Sequence, residues 1–315
     1  MRAPDLSASE NQRQYSAAIE MAAAADAAGF DACVVSEHHA SPDGFLPSPL
    51  LMAAAIAART QTLSISVQAL LVPLHDPVRL AEDIAVLDLL SNGRVVITTG
   101  LGYRPVEYEL FDKEWKRRGR LLDEAIETMI ALWAGEPVLR DGREVFVTPR
   151  PVTQPHPMLM IGGNGTAAVD RAARFGLSAN LSNRDPALRA RYFDECARLG
   201  VQPGVCIMPP HDLPNCVFVS EDPDRTWAEV GPHMLQDAVT YESWATDDAR
   251  SVIATDASTI DELRRGNVYR VMTPEECIEF ARENRVVMFP LVGGADPSHG
   301  WRSLELYIDR VLPAL

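Results

Sequence analysis

Short apolar runs alternate along this chain with longer segments whose apolar positions recur at helical spacing. The stretch Asp31-Ala-Cys-Val-Val-Ser36 reads as a strand buried on both faces, because Cys33, Val34 and Val35 are apolar and mostly β-branched. Ser9 and Gln12 have the spacing of a capping box, opening an Ala-rich helix that runs to about Ala28 and stops at Gly29. A second helix is predicted over Pro49–Thr60 and a strand over Leu63–Val72. Next comes a helix opened by Pro77, with Leu80, Ile84, Leu87 and Leu90 recurring at helical spacing and Asn92-Gly93 at its end. Arg94–Thr99 is the next strand and Arg117–Ala134 a longer helix. Asp141-Gly142 suits a hairpin with Glu144–Val147 as its return strand.

Beyond it, strands are predicted at Pro157–Ile161, Leu177–Leu181, Val205–Met208, Cys216–Val219 and Val286–Val292. Helices are predicted after Thr166, over Pro186–Leu199 and Pro274–Glu283, and over Trp301–Val311; Trp227–Arg265 reads as helices and loops. Nearly continuous apolar strands alternating with helices predict an α/β fold with a parallel sheet. The length and the repeated strand-end glycines favour a closed (β/α)8 barrel, a TIM barrel, over an open sheet. Residues 1–6 are too short and proline-bearing for a good first strand, so that strand is expected to be truncated. A single barrel domain with a variable insertion at His211–Arg270 is the expected organisation.

Composition adds exclusions. A formal net charge of -15 and the lack of a basic stripe argue against a nucleic-acid partner. The five cysteines are scattered without a CxxC pair, so neither a disulfide framework nor a metal site is expected. No apolar leader or membrane-length run occurs, and a cytoplasmic protein is the expectation.

The candidate chemistry sits where apolar strands end, the place where α/β folds work. Glu37, His38 and His39 follow the Val34-Val35 strand directly. Adjacent strand residues point to opposite faces, so two neighbouring histidines make a poor metal pair. His39 reads better as a loop-holding hydrogen bonder. For His38, acid/base catalysis and the same structural role weigh equally. Gly162-Gly-Asn-Gly-Thr166, between strand and helix, could seat a phosphate on open backbone amides or could simply be a tight turn. Gly100 and Gly102 either admit a flat ligand or relieve crowding. Arg118, near a helix start, is a solvated cation unless that end meets the glycine turn, where it would hold an anion.

Several longer motifs resemble the bacterial luciferase-like superfamily of flavin- and deazaflavin-dependent oxidoreductases. They are Ser36-Glu-His-His39, Pro73-x-x-x-Pro77-Val-Arg-Leu-Ala-Glu-Asp83, and Leu87-Asp-x-Leu-Ser-Asn-Gly-Arg94. With them go Gly100-Leu-Gly102-Tyr with Glu107 after it, Arg118-x-x-x-Leu122-x-Glu124, Gly293-Gly294, and Leu304-Glu-Leu306 through Pro313. The resemblance implies a barrel of the luciferase-like type, with the flavin ring at the strand ends. It implies His38 as acid/base beside Glu37, and a non-prolyl cis peptide at Gln68-Ala69 behind the ring. Gly162, Gly163, Asn164, Gly165 and Thr166 would hold the phosphate with Arg118, and Ser182 would lie near the ring. Gly100 and Leu101 replace the cysteine and arginine of the luciferase α chain, which argues against light emission. Phe45, Tyr103 and Trp115 are candidates for the substrate side.

Within that resemblance Glu37-His38 is similar to the FMN enzymes, which implies FMN, reduced by a separate flavin reductase and used with dioxygen on a small organic substrate. The alternatives are deazaflavin-dependent hydride transfer and a non-catalytic barrel subunit. A homodimer through the Pro77–Leu90 helix is expected by the same resemblance.

Overall fold

The computed structural model describes residues 2–210, 213–246 and 250–315. In chain order its strands are β1 (Ala32–Val35), β2 (Ser64–Leu70), β3 (Val95–Thr99), β4 (Val138–Arg140), β5 (Arg143–Val145) and β6 (Met158–Gly163). They continue with β7 (Ser178–Leu181), β8 (Cys206–Ile207), β9 (Cys216–Val219) and β10 (Tyr269–Met272). The helices are α1 (Ala8–Ala28), α2 (Pro49–Ala57), α3 (Pro77–Ser91), α4 (Pro105–Leu110), α5 (Arg118–Ala134) and α6 (Thr166–Phe175). After these come α7 (Pro186–Leu199), α8 (Pro223–Ser243), α9 (Ile260–Arg265), α10 (Pro274–Ala281) and α11 (Pro297–Leu306). The chain divides into two compact units, one of Met1–Met21, Pro42–Phe45 and Pro209–Leu315, the other of Ala22–Ser41 and Leu46–Met208.

The second unit is built on a six-stranded sheet in the order β1-β2-β3-β6-β7-β8, parallel throughout. Ile65, Val67, Val95, Ile97, Leu159 and Ile161 are buried on it, as their apolar runs predict. Its helices begin and end where local chemistry dictates. Asp76 accepts from the amides of Val78 and Arg79 while Pro77 opens α3, and Asn92 closes it in the left-handed conformation. Trp133 on α5 donates to the Ala81 carbonyl at 2.9 Å, tying α5 to α3. Asp141 and Gly142, both at positive φ, make the hairpin turn between β4 and β5.

The expectation that the Val34-Val35 strand is buried on both faces is not met: β1 is the edge of this sheet, and Val34 is 61% exposed while Val35 is buried. Residues 2–7 form no strand, and Asp5 turns the chain at φ 71°.

In the first unit β9 and β10 pair in parallel, and Met288 bridges to Val217. Phe218, Trp227, Val230, Met234, Leu263, Tyr269 and Val292 form its core. Three expectations need correcting. The cap that opens α1 is Ser7 with Glu10, not Ser9 with Gln12: Ser7 N–H donates to Glu10 Oε2 at 2.8 Å and Glu10 N–H to Ser7 Oγ at 3.3 Å. The strand expected over Val286–Val292 shrinks to the Met288 bridge, because Pro290 cannot donate to a ladder and residues 292–294 wind into a 3-10 turn. Tyr269–Met272 is a strand that the charged Arg270 hid from pattern reading. The segment 211–270 therefore supplies β9, α8 and the first half of β10 to this core; within it residues 211, 212 and 247–249 lie outside the described residues. No helix of the described residues is long and apolar enough to cross a membrane.

Candidate active site

Register brings the carboxyl ends of five parallel strands of the second unit to one rim. Val35 pairs with Val67, Leu70 with Thr99, Thr99 with Ile161 and Gly163 with Leu181. Direct contacts continue past the strands. Leu71 N–H donates to Glu37 Oε2 at 2.6 Å, Gly100 N–H to the Leu70 carbonyl at 2.8 Å, and Ser182 N–H to the Gly163 carbonyl at 2.8 Å. A Cβ on Gly162 would lie 2.6 Å from the Thr99 carbonyl oxygen, so only glycine lets these two strand ends approach. The expected sites at residues 37, 68–69, 100, 162–163 and 182 thus follow one another from strand to strand.

At one end of the rim, two buried carboxylates organise three histidines. Glu37 Oε1 lies 2.9 Å from His39 Nε2 and 2.9 Å from His75 Nε2, while its other oxygen takes the Leu71 amide. Burial alone would raise the Glu37 pKa. The hydrogen bonds from both imidazoles, the nearby His75 and the Leu71 amide outweigh it and draw the group down to about 2. Glu37 is therefore a fixed anion that holds the loop, rather than a group that exchanges protons near neutrality.

Glu107, on α4, is fully buried, and its Oε1 gathers His38 Nδ1 at 2.9 Å, the His39 amide at 3.0 Å and Arg104 Nη1 at 3.1 Å. Its Oε2 is buried with no hydrogen-bond partner among the described residues and faces Gly102, whose added Cβ would stand 3.6 Å away. Tyr103 Oη lies 3.3 Å from His38 Nε2, with its ring edge-on to the imidazole. An acceptor on Nδ1 favours the tautomer whose Nε2 carries the lone pair, which suits His38 to taking a proton.

Along the rim, the Gln68-Ala69 peptide is cis. Gly100 sits directly over Ala69: an added Cβ would lie 2.7 Å from the Ala69 Cβ. Gly163 likewise has no room, its Cβ position falling 2.5 Å from the Ala168 Cβ, whereas Gly165 faces open space. Gly165 caps α6 without a side chain, so the first-turn amides meet no side-chain acceptor there. Asn183 Nδ2 donates to the Asn164 carbonyl at 2.8 Å, and the Ser182 hydroxyl to the Gly163 carbonyl at 3.4 Å, bracing the turn.

The starts of α5 and α6 are joined by Arg171, which donates to Asp123 at 2.5 Å, to the Gly119 carbonyl at 3.5 Å and to the Ala167 carbonyl at 3.4 Å. The convergence that would make Arg118 useful is therefore present in the backbone. The Arg118 guanidinium itself stacks on the Trp115 ring at 4.1 Å and donates to the Trp115 carbonyl at 3.1 Å. Trp115, expected on the substrate side, packs edge-on against Tyr108 beside Leu71, Leu74 and Leu121. Phe45, expected there too, belongs to the first unit and packs against Tyr241 and Trp244. Among the described residues, no group of three or more His, Cys, Asp or Glu side chains could hold a metal.

Sequence reasoning noted Glu107 only as part of a motif and missed His75 and Arg104. The available signal was Pro105 at a helix start with Arg104 and Glu107 three apart. Their joint burial could not be read from spacing.

Known proteins share this arrangement of strands. Residues 2–285 match the family model described as luciferase-like monooxygenase. The oxygenase component of a flavin-dependent trigonelline monooxygenase from Acinetobacter baylyi is 27% identical over 186 residues, 56% of this chain and 51% of the relative. The chain spans about half the length of the curated relatives it matches. Among solved structures, the monooxygenase RslO1 from Streptomyces bottropensis is 23% identical with a TM-score of 0.73, covering 98% of this chain and 97% of that one. The oxygenating constituent of 3,6-diketocamphane monooxygenase from Pseudomonas putida, in complex with FMN, is 18% identical at 0.66, covering 98% and 95%. An F420-dependent secondary alcohol dehydrogenase is 17% identical at 0.65, covering 95% and 94%. These likenesses show the barrel fold of the luciferase-like type, and the match over residues 2–285 makes the chain a member of the luciferase-like monooxygenase family.

Proposed function

We propose that the protein is an FMN-dependent monooxygenase that takes reduced flavin from a separate reductase and oxygenates a small organic substrate with dioxygen. One observation carries the reading: a single rim of hydrogen-bonded strand ends holds both the His38–Glu107 pair and the glycine turn that opens α6. The residues present fit the cofactor. Gly165 faces open space, and the uncapped amides at the start of α6 suit a phosphate. Arg118, at the start of the neighbouring α5, is the cation expected to complete that seat. The buried Glu107 Oε2 is an acceptor that suits a donor on a ligand.

When bound, reduced FMN supplies the electrons that activate dioxygen. The chain's own part is to hold His38 by Glu107 and Tyr103, so that Nε2 takes and returns a proton at a fixed place. Glu37 keeps the loop carrying His38 in position through His39, His75 and Leu71. The trigonelline relative, an oxygenase component, supports the reductase-dependent form of this activity.

The likeness to the F420-dependent dehydrogenase favours the second reading, deazaflavin-dependent hydride transfer. Anaerobic titration separates the two. Reduced FMN is expected to bind with saturation and then react on admission of air; saturable binding of reduced F420 with no affinity for reduced FMN would overturn the proposal. A non-catalytic subunit is disfavoured by the intact His38 cluster.

Homodimerisation belongs to the same proposal. Val86, Leu89 and Leu90 line an outward strip of α3 and are 42%, 43% and 56% exposed, which suits a second copy. Light scattering on a sizing column is expected to give twice the chain mass, and Leu90→Glu to give the single chain. A monomeric wild type would contradict it.

A further inference from the structure

The first unit contains a buried cage for a cation that the oxygenase chemistry does not use. Asp43 and Asp237 supply its carboxylates, and Phe45, Tyr241 and Trp244 its walls. Arg2 fills it. Its Nε and Nη2 donate to Asp237 Oδ1 at 3.0 and 2.9 Å, its Nη1 to Asp43 Oδ2 at 2.8 Å, and Nη2 also to the Asp237 carbonyl at 3.4 Å. The guanidinium carbon lies 4.8, 4.5 and 5.2 Å from the ring centroids of Phe45, Tyr241 and Trp244. Tyr269 donates to the remaining Asp237 oxygen at 3.0 Å. Arg2, Asp43 and Asp237 are 5%, 7% and 2% exposed. Emptying the cage would take from both buried carboxylates the charged donors that Arg2 supplies.

The backbone that delivers Arg2 is seated independently of its side chain. A Cβ on Gly294, which sits at positive φ, would lie 2.8 Å from the Ala3 Cβ and 3.0 Å from the Arg2 carbonyl oxygen. Gln14 Nε2 fastens that turn by donating to the Gly294 and Ala295 carbonyls at 3.2 and 2.8 Å. Shortening the Arg2 side chain would therefore leave the main-chain path in place and open a space of guanidinium shape, with its acceptors and rings already positioned.

We propose that this cage is a binding site for guanidinium-type organic cations, that its resident occupant is the chain's own Arg2, and that removing the Arg2 side chain opens it to a free alkylguanidinium. The probe is ethylguanidinium, with N-ethylurea as its neutral counterpart, on the full chain. Arg2→Ala is expected to melt below the wild type and to recover saturably with ethylguanidinium but not with ethylurea, while the wild type responds to neither. Calorimetric affinity for ethylguanidinium is expected to fall roughly tenfold or more when Asp237→Asn is added, because the charge-assisted pair is lost. Equal responses to the two probes, equal responses of variant and wild type, or no recovery would each overturn the proposal. Should Arg2→Ala not fold alone, refolding yield replaces the melting readout, and a yield no better with ethylguanidinium than with ethylurea overturns it in the same way.

Discussion

His38→Ala is expected to slow the oxygen-dependent reoxidation of bound reduced FMN by roughly a hundredfold or more, the usual reach of a positioned acid/base, with flavin affinity nearly unchanged. The expectation follows from where the imidazole is held. Its Nδ1 is tied to a fully buried carboxylate and its Nε2 lies beside the Tyr103 hydroxyl, so both its tautomer and its direction are set before any ligand arrives. The groups proposed to seat the phosphate belong to other strand ends than the one that carries His38, which is why affinity and rate should separate. Glu107→Gln keeps the shape and removes the charge, and is expected to lower the rate by roughly tenfold while displacing the pH profile. The double variant is expected to be no slower than His38→Ala, since Glu107 acts on this step through the imidazole. Stopped-flow measurements over a range of pH read all three. An unchanged rate in His38→Ala would remove the residue from the chemistry, and additive losses in the double variant would give Glu107 a separate role.

Legibility of this chain followed the range of the interactions involved. β1 and α3 could be read because Val34-Val35 and the Leu80–Leu90 spacing are local patterns, and Pro77 and Asn92 mark their ends by local sterics. The glycines at 100, 162 and 163 were legible as places of close approach. What they approach, Ala69, Thr99 and Ala168, depends on strand register. His38 could be picked out, but its partner sits 69 residues away on a short helix, and no period connects the two. Phe45 and Trp115 read as pocket walls because they are aromatic residues near loops; each is half-buried, Phe45 against Tyr241 and Trp244 and Trp115 against Tyr108, and no local pattern announces those partners. Ser7 with Glu10 and Ser9 with Gln12 both fit a three-residue spacing, and only the geometry of Glu10 decides between them.

Glu37→Gln is expected to cost about 3 kcal/mol of folding stability at neutral pH, and the loss is expected to carry a pH signature. The side chain is almost completely buried and accepts from His39, His75 and the Leu71 amide, so its charge is held by three donors at once. Its pKa falls from an ordinary 4.5 to about 2, and that displacement converts to roughly 3 kcal/mol at 1.36 kcal/mol per unit. Because the folded value is the lower one, the unfolded chain binds the proton first. The contribution is therefore present in full above pH 4.5 and is lost as the pH falls to about 2. Urea unfolding of wild type and Glu37→Gln, followed from neutral pH downward, should show two curves that converge across that window. The variant should also bind reduced FMN less well than His38→Ala does, since freeing His39 and His75 loosens the loop on which His38 is carried. A stability difference that stays constant from neutral pH to about 3 would show that the Glu37 charge does not hold that loop, and would leave the placement of His38 to Glu107 alone.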